Sequence, residues 1–129
     1  MDISGLNLLL VEDNELNAEI AKTLLSDEGA NLTVAEDGLQ AVRMFQEKPE
    51  GYFDAILMDI MMPVMDGITA TKTIRSLKHP DAETIPIVAM TANAFEEDRK
   101  KAFEKGMNGH IAKPVDAEKV KKTILSALR

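Results

Sequence analysis

Short apolar runs alternate five times along this chain with longer segments of helical periodicity. The runs are too short for helices, and several are almost continuously apolar, which is typical of strands covered on both faces. Crossovers of this length join parallel strands, so the pattern predicts an α/β fold with one parallel sheet and helices on both faces. The predicted strands are Leu6–Val11, Leu32–Ala35, Ala55–Met58, Ile85–Met90 and Gly109–Ala112. The predicted helices are Leu16–Leu25, Gly38–Lys48, Ile68–Leu77, Ala94–Lys105 and Ala117–Leu128.

Length and composition narrow the classes of protein that this chain can represent. With 129 residues and no internal repeat, it is expected to form a single domain over 1–129. The net charge of −7 argues against a nucleic-acid or anionic-membrane surface, and the lack of cysteine excludes disulfides, thiolate metal sites and cysteine nucleophiles. No apolar run approaches membrane-spanning length, so a soluble, cytoplasmic domain without direct membrane contact is expected.

Chemically useful side chains stand at the ends of four predicted strands. Glu12 and Asp13 follow the first strand and Asp59 follows the third. Thr91 follows the fourth strand and Lys113 follows the fifth. Ligands of an open parallel sheet bind outside the carboxyl ends of its strands. We therefore expect three acids, a hydroxyl and a lysine to converge at that end of the sheet.

The acids in this group predict a site for a divalent cation. Apolar residues before Glu12, Asp13 and Asp59 hold them to the sheet, and carboxylates held together repel unless a cation compensates. Mg2+ commonly takes one or two carboxylates together with water and phosphate oxygens. Asp13 and Asp59 are the predicted ligands, and Glu12 is expected to bind directly or through water. The backbone carbonyl of Met61 is a further predicted ligand.

A carboxylate in such a site can act as a nucleophile toward phosphorus. Asp59 is the predicted nucleophile, and it needs no general base because an ionised carboxylate has no proton to lose. Mg2+ and the Lys113 ammonium would neutralise the charge that spreads over the transferring phosphoryl group. The Thr91 hydroxyl would hydrogen-bond a phosphoryl oxygen and move toward it on modification.

Each of these residues also has a purely structural interpretation. Asp13 or Asn14 is a candidate N-cap for the first helix. Asp66-Gly67 predicts a turn and a helix cap. Thr91 taken alone is a structural threonine, and Lys113 taken alone is a solvated lysine at a strand end. It is their joint occurrence at neighbouring strand ends that favours a functional site.

A resemblance to a known family rests on four segments, namely Leu8–Asn14, Leu57–Gly67, Ile85–Ala94 and Ile111–Pro114. Through them the sequence resembles the receiver domains of two-component response regulators over essentially its whole length. The resemblance implies a flavodoxin-like, doubly wound (βα)5 fold with strand order 2-1-3-4-5. It also implies that Asp59 accepts a phosphoryl group from a histidine kinase or a histidine phosphotransfer domain. Such a domain is a switch more than a turnover enzyme.

One position departs from the family pattern. The switch aromatic, three residues before the lysine, falls on His110. Two interpretations stay open here. The imidazole rotates inward on phosphorylation, or His110 is a surface histidine without a switching role.

The subclass follows from two stretches, Asp13–Ala21 and Met90–Phe95. Both are similar to receivers attached to hybrid histidine kinases. The chain is therefore expected to be cut from a longer protein and to be the cytoplasmic part of a membrane-bound sensor kinase. Its oligomeric state is not predicted by the sequence.

The first predicted helix offers an apolar surface beside the acidic site. Leu16, Asn17 and Ala21 are the predicted interface residues, which would dock a helical bundle that carries the donor histidine. Ile20 and Leu24 are predicted to lie in the core instead.

Three other classes of protein compete with this interpretation. A haloacid-dehalogenase-like phosphatase needs a second acid two residues after the nucleophile, where this chain has Met61. A flavodoxin-like cofactor binder needs a hydroxyl- and glycine-rich phosphate cradle, where this chain has Glu12 and Asp13. An inactive pseudo-receiver acts by protein contact alone, and the intact acidic, hydroxyl and lysine positions count against it.

Overall fold

The computed structural model describes residues 3–60, 64–91, 106–112 and 116–127, with the backbone alone at 91, 110 and 112. Its strands are β1 (Asn7–Val11), β2 (Asn31–Ala35), β3 (Ala55–Asp59), β4 (Ile87–Thr91) and β5 (Gly109–Ala112). Its helices are α1 (Glu15–Asp27), α2 (Gly38–Glu47), α3 (Gly67–Arg75) and α4 (Ala117–Ala127). The predicted helix Ala94–Lys105 lies outside the described residues. Within the described ranges, no helix is long and apolar enough to cross a bilayer.

The strands form one parallel sheet in the order β2-β1-β3-β4-β5. The predicted flavodoxin-like topology is therefore confirmed. On one face, Leu9 packs with Phe45 of α2 and with residues of α3. On the other face, Leu10 packs with Leu25 of α1 and Ile124 of α4. The central strands are apolar on both faces because each face packs against one of these two cores. Each aliphatic side chain buried there contributes about 1.5–3 kcal/mol to the stability of the fold.

Every helix in the described ranges begins at a capping side chain. The caps are Asn14, Asp37, Asp66 and Asp116, which accept hydrogen bonds from the backbone N–H groups of Asn17, Gln40, Thr69 and Lys119. The predicted cap at Asp66 is confirmed, with an Oδ1 to N distance of 2.7 Å. At α1 the cap is Asn14, at 3.0 Å from the Asn17 nitrogen. The carboxylate of Asp13 is therefore left for another role.

The exposed side of α1 differs from the prediction. Ala21 was expected to face solvent but is 3% exposed, and Ile20 was expected in the core but is 49% exposed. The buried positions are Ala18, Ala21 and Leu25, which follow the i, i+3, i+7 spacing of one helical face. Ile20 lies about 100° around the helix from Ala21, so it cannot share that face. Both predictions about these residues were wrong.

Val64, in the loop before α3, has a φ of 67°. A β-branched residue in the left-handed region costs about 1–3 kcal/mol. Asparagine adopts this region more readily, and the Val64 side chain is 79% exposed, so its removal loses little packing. We expect Val64→Asn to raise the free energy of unfolding by about 1 kcal/mol and the Tm by about 4 °C. Calorimetry checks this against Val64→Ile, which keeps the branch and should leave Tm unchanged.

Candidate functional site

Three carboxylates meet at the carboxyl end of the sheet. Glu12 and Asp13 follow β1, and Asp59 is the last residue of β3. These strands are neighbours, and Val11 of β1 pairs with Met58 of β3. The residues that follow, Glu12 and Asp59, therefore lie at the same level of the sheet. One carboxylate oxygen from each of the three acids lies within 4.8 Å of the other two. The predicted convergence of the acids is therefore present in the structure.

The backbone around the acids is held by hydrogen bonds on several sides. The N–H of Glu12 donates to the Ala35 carbonyl of β2 at 3.0 Å, which ties it to the sheet. Asp59 pairs in register with Met90 of β4. Just beyond it, the N–H of Ile60 donates to the Met90 carbonyl at 3.1 Å. The acidic side chains thus project from backbone that cannot move apart without breaking the sheet.

Burial and charge together favour a bound cation. Glu12 is 4% exposed and Asp59 is 3% exposed, whereas Asp13 is exposed to solvent. Three like charges at this spacing repel, and burial of two of them increases the cost. Mg2+ binds hard oxygens at about 2.1 Å, so two opposite ligands lie about 4.2 Å apart. The three oxygens all lie within 4.8 Å of one another, close to this span, and a hard divalent cation prefers oxygen ligands, so the donor set fits such a cation.

The other predicted site residues fall at or beyond the limits of the described chain. Thr91 is the last residue of β4, and its backbone pairs with Ala112 of β5. That places the Thr91 backbone beside the strand end that carries Asp59. The backbone of His110 pairs with Ala89 within the sheet. The Thr91 and His110 side chains, and all of Met61 and Lys113, lie outside the described residues.

Gly67 is a site residue that sequence reasoning missed. Its N–H donates to the Ile60 carbonyl at 3.0 Å. A Cβ at this position would lie 2.8 Å from the Asp59 carbonyl carbon and 2.9 Å from the Ile60 Cα. The start of α3 therefore packs directly on the backbone of Asp59. A glycine immediately after Asp66 was the available signal, although Asp66-Gly67 predicted only a turn and a helix cap.

Comparisons with known proteins agree with this geometry. A family model for the response regulator receiver domain matches residues 8–125. The hybrid signal transduction histidine kinase I of Dictyostelium discoideum is 37% identical over 123 residues, which cover 90% of this chain and 7% of the relative. The osmosensing histidine protein kinase SLN1 of Saccharomyces cerevisiae is 41% identical over 127 residues, which cover 95% of this chain and 10% of the relative. The chain thus spans a tenth or less of the length of these two relatives.

A solved structure shows the same architecture over nearly the whole chain. The receiver domain of the sensor histidine kinase PA1611 from Pseudomonas aeruginosa PAO1 has a TM-score of 0.85 and 37% identity, covering 97% of this chain and 98% of that chain. That structure has a magnesium ion coordinated in its active site cleft. Since the family match runs from β1 into α4 and includes all three clustered acids, this chain belongs to the response regulator receiver domain family.

Proposed function

We propose that this chain is the phosphoryl-accepting receiver of a two-component phosphorelay, with Asp59 as the acceptor. The acidic cluster is the observation that carries the proposal. Asp59 ends a central strand at 3% exposure, with carboxylate oxygens of Glu12 and Asp13 within 4.8 Å. Such a concentration of buried negative charge costs stability unless a cation or hydrogen bonds compensate it, and it is typical of functional sites. Membership of the receiver family supplies the reaction class.

In the proposed step, a carboxylate oxygen of Asp59 attacks the phosphorus of a phosphohistidine. The new P–O bond forms as the P–N bond breaks, and the electron pair of the broken bond stays on the histidine nitrogen. The donor leaves as a neutral imidazole when its other ring nitrogen carries a proton. The product on this chain is an aspartyl phosphate. Because the Asp59 carboxylate reacts in its ionised form, no residue has to remove a proton from it.

We propose that Asp13 and Asp59 bind Mg2+, that Glu12 binds it directly or through water, and that the backbone carbonyl of Met61 is a further ligand. The chemistry of the donor set and the oxygen spacing support this assignment. When bound, Mg2+ supplies positive charge close to the phosphoryl oxygens. Asp13 is the exposed carboxylate of the three, so it is the one that contacts solvent.

The remaining roles are proposals from the family pattern. Lys113 would neutralise the charge that spreads over the phosphoryl group during transfer. The Thr91 hydroxyl would hydrogen-bond a phosphoryl oxygen and bias the chain between two states. His110 would then rotate inward as a switch residue or stay on the surface. The backbones of Thr91 and His110 lie on the adjacent strands β4 and β5, which supports a shared role.

Intact-mass spectrometry tests the proposed function. The chain is incubated with acetyl phosphate, with Mg2+ in one sample and a chelator in the other. We expect one phosphoryl adduct per chain that forms only with Mg2+. Absence of the adduct with both acetyl phosphate and a phosphorylated histidine donor would refute the proposal and favour a pseudo-receiver that acts by contact alone.

We propose that the exposed face of α1 docks the donor. Leu16 is 69% exposed and Ile20 is 49% exposed, and Asn17 between them is also exposed. Leu16 and Ile20 are four residues apart, so both lie on one side of the helix. This side begins two residues after Asn14, next to the acidic site. Apolar anchors at this spacing suit a helical partner that brings its phosphohistidine to Asp59.

Ile20→Arg is expected to slow transfer from a phosphorylated histidine phosphotransfer protein by about 30-fold, because an interface anchor contributes about 2 kcal/mol. Transfer from acetyl phosphate should stay within about 2-fold, since a small donor needs no docking face. Rapid-quench kinetics with both donors measure the two rates. Ile20 replaces Ala21 as the residue to change, because arginine at the buried Ala21 would disrupt the core.

Ser26→Arg is the matched control for this prediction. Ser26 is exposed on α1 but lies six residues further from the acidic site, about 9 Å along the helix axis. Equal slowing by both arginines, or equal slowing with both donors, would argue against docking on this face.

We further propose that this receiver is attached to a hybrid sensor kinase and works in the cytoplasm. The histidine kinases among its relatives support the attachment. The donor would then be a histidine kinase or a histidine phosphotransfer domain. Phosphate transfer assays with the longer protein would test the direction of phosphoryl flow.

A further inference from the structure

The guanidinium of Arg75 joins separate segments of the chain. Arg75 is the last residue of α3. Its Nε and Nη2 both donate to the Gly106 carbonyl, at 3.1 and 2.8 Å. Nη1 donates to the Ala82 carbonyl at 3.0 Å, and Nη2 also donates to Asn108 Oδ1 at 2.7 Å. One side chain therefore ties the end of α3 to the loop before β4 and to the residues just before β5.

Asn108 continues this connection into the sheet. Its backbone N–H donates to the Ile87 carbonyl at 2.7 Å. Its Oδ1, besides accepting from Arg75, accepts from the Ile87 N–H at 2.9 Å. Asn108 thus makes two hydrogen bonds to the first residue of β4, immediately before β5 begins. These bonds lie directly before the first pair of the two strands, Val88 with Gly109.

The surroundings of Arg75 are shaped for this contact. Gly106 has a φ of 103°, and a Cβ there would lie 3.2 Å from Arg75 Cγ and 3.3 Å from its Nε. Burial lowers the pKa of the Arg75 guanidinium from its ordinary value, although a guanidinium stays charged in proteins. Loss of these carbonyl partners would leave a half-buried charge without hydrogen bonds, which would destabilise the fold. The contact is therefore specific rather than an incidental surface interaction.

Within the described chain, β5 depends on a single neighbouring strand for its place in the sheet. It lies at the edge of the sheet and pairs only with β4 among the described strands. A slip by one residue would move the chain about 3.3 Å and turn Ile111, which is 2% exposed, away from the core, so the fold requires one register of β5. β5 ends at Ala112, and Lys113 is the next residue.

We infer that Arg75 and Asn108 lock the register of β5 and that Arg75 is thereby a positioning residue for Lys113. This inference rests on the proposed function, in which Lys113 neutralises the charge on the phosphoryl group during transfer. α3 has a second connection at its other end, where Gly67 packs on the Asp59 backbone. The first residue of α3 therefore contacts β3, which ends at Asp59, and the last residue of α3 is hydrogen-bonded to the segment just before β5.

Arg75→Met, Arg75→Lys and Asn108→Ala test the lock by amide hydrogen exchange. We expect Arg75→Met to speed exchange in β5 about 10-fold relative to β1, because hydrogen bonds from a charged group are lost. Arg75→Lys keeps the positive charge but lacks the planar set of guanidinium donors, so it should speed exchange in β5 less than Arg75→Met does. Lys72→Met removes an exposed cation from the same helix and should change neither strand. Equal acceleration in β1 and β5 would mean general destabilisation and would overturn the inference.

Phosphorylation by acetyl phosphate tests the positioning role. Arg75→Met should slow adduct formation about 10-fold, with partial recovery in Arg75→Lys, because a misplaced catalytic group loses most of its effect. In a Lys113→Ala background the same change should slow the reaction less than about 2-fold, since the group it positions is gone. Independent, multiplicative effects would refute the positioning role. If Arg75→Met does not fold, Arg75→Lys and Asn108→Ala carry the same comparisons.

The two proposals fail in different ways. A wild-type chain that takes up no phosphoryl group refutes the proposed function, and the exchange experiment still decides whether Arg75 locks β5. A wild-type chain that forms the adduct, while Arg75 variants react and exchange like wild type, refutes only this inference.

Discussion

Replacing Asp59 by asparagine is expected to abolish the Mg2+-dependent phosphoryl adduct. The amide is a poor nucleophile toward phosphorus, and it removes one of the three charges that would hold the cation. Asparagine has nearly the shape of aspartate, so the strand should keep its place in the sheet. Intact-mass spectrometry after incubation with acetyl phosphate measures the yield. We expect a loss of at least about 100-fold, to the limit of detection, as is usual when a nucleophile is removed.

Asp54→Asn is the matched control for this experiment. Asp54 lies just before the opposite end of β3, where its Oδ2 accepts from the Asn7 N–H at 2.7 Å. An asparagine oxygen can accept the same hydrogen bond, so this variant should form the adduct as wild type does. An adduct that persists in Asp59→Asn would place the acceptor on another residue, and Asp13 would be the next to replace.

Gly67→Ala is expected to destabilise the chain by about 3 kcal/mol, because the new methyl group would overlap backbone atoms. The clash is with the Asp59 carbonyl carbon at 2.8 Å and the Ile60 Cα at 2.9 Å. Backbone in the centre of a sheet cannot give way as a flexible side chain does. Alanine favours a helix over glycine by about 1 kcal/mol at most, so the steric cost exceeds the gain in helix propensity.

Gly51→Ala separates this clash from the general cost of replacing a glycine. Gly51 has a φ of 78°, and a Cβ there meets nothing within 4 Å. Its substitution should cost only about 1–2 kcal/mol of backbone strain. Urea unfolding compares the two variants. A cost at Gly67 no larger than that at Gly51 would show that α3 does not press on the acceptor strand.

Gly67→Ala should also slow phosphorylation in the molecules that remain folded. Relief of the clash has to move either α3 or the Asp59 backbone, and a shift of about 1 Å at a reacting group can cost about 100-fold. The rate is measured at a temperature where both proteins are folded, so lost stability is not counted as lost activity. An unchanged rate would mean that α3 moves and Asp59 does not.

Much of this molecule follows from local patterns in its sequence. The five strands lie within two residues of their predicted bounds, because short apolar runs between helical segments have few alternatives in a parallel sheet. The helix start at Asp66 follows from capping chemistry, which acts over three residues. The acidic cluster follows too, since residues at the carboxyl ends of adjacent parallel strands have to meet.

Other features depend on how the elements pack. Apolar residues occupy both Ile20 and Ala21, so hydrophobicity alone cannot decide which of them faces the sheet. Packing decides it, because the small Ala21 and Ala18 let the helix approach the strands and leave Ile20 at 49% exposure. The same holds for Gly67, whose role depends on a residue eight positions away in the chain and in contact with it in space.

The sequence by itself determined the α/β class, the helix cap at Asp66 and the meeting of Glu12, Asp13 and Asp59, because each follows from local periodicity, capping chemistry or the ends of parallel strands. Only the tertiary structure decided the exposed face of α1, the contact of Gly67 with Asp59 and the connection from Arg75 to β5. These depend on contacts between different elements of the fold, and packing, rather than local preference, sets such contacts.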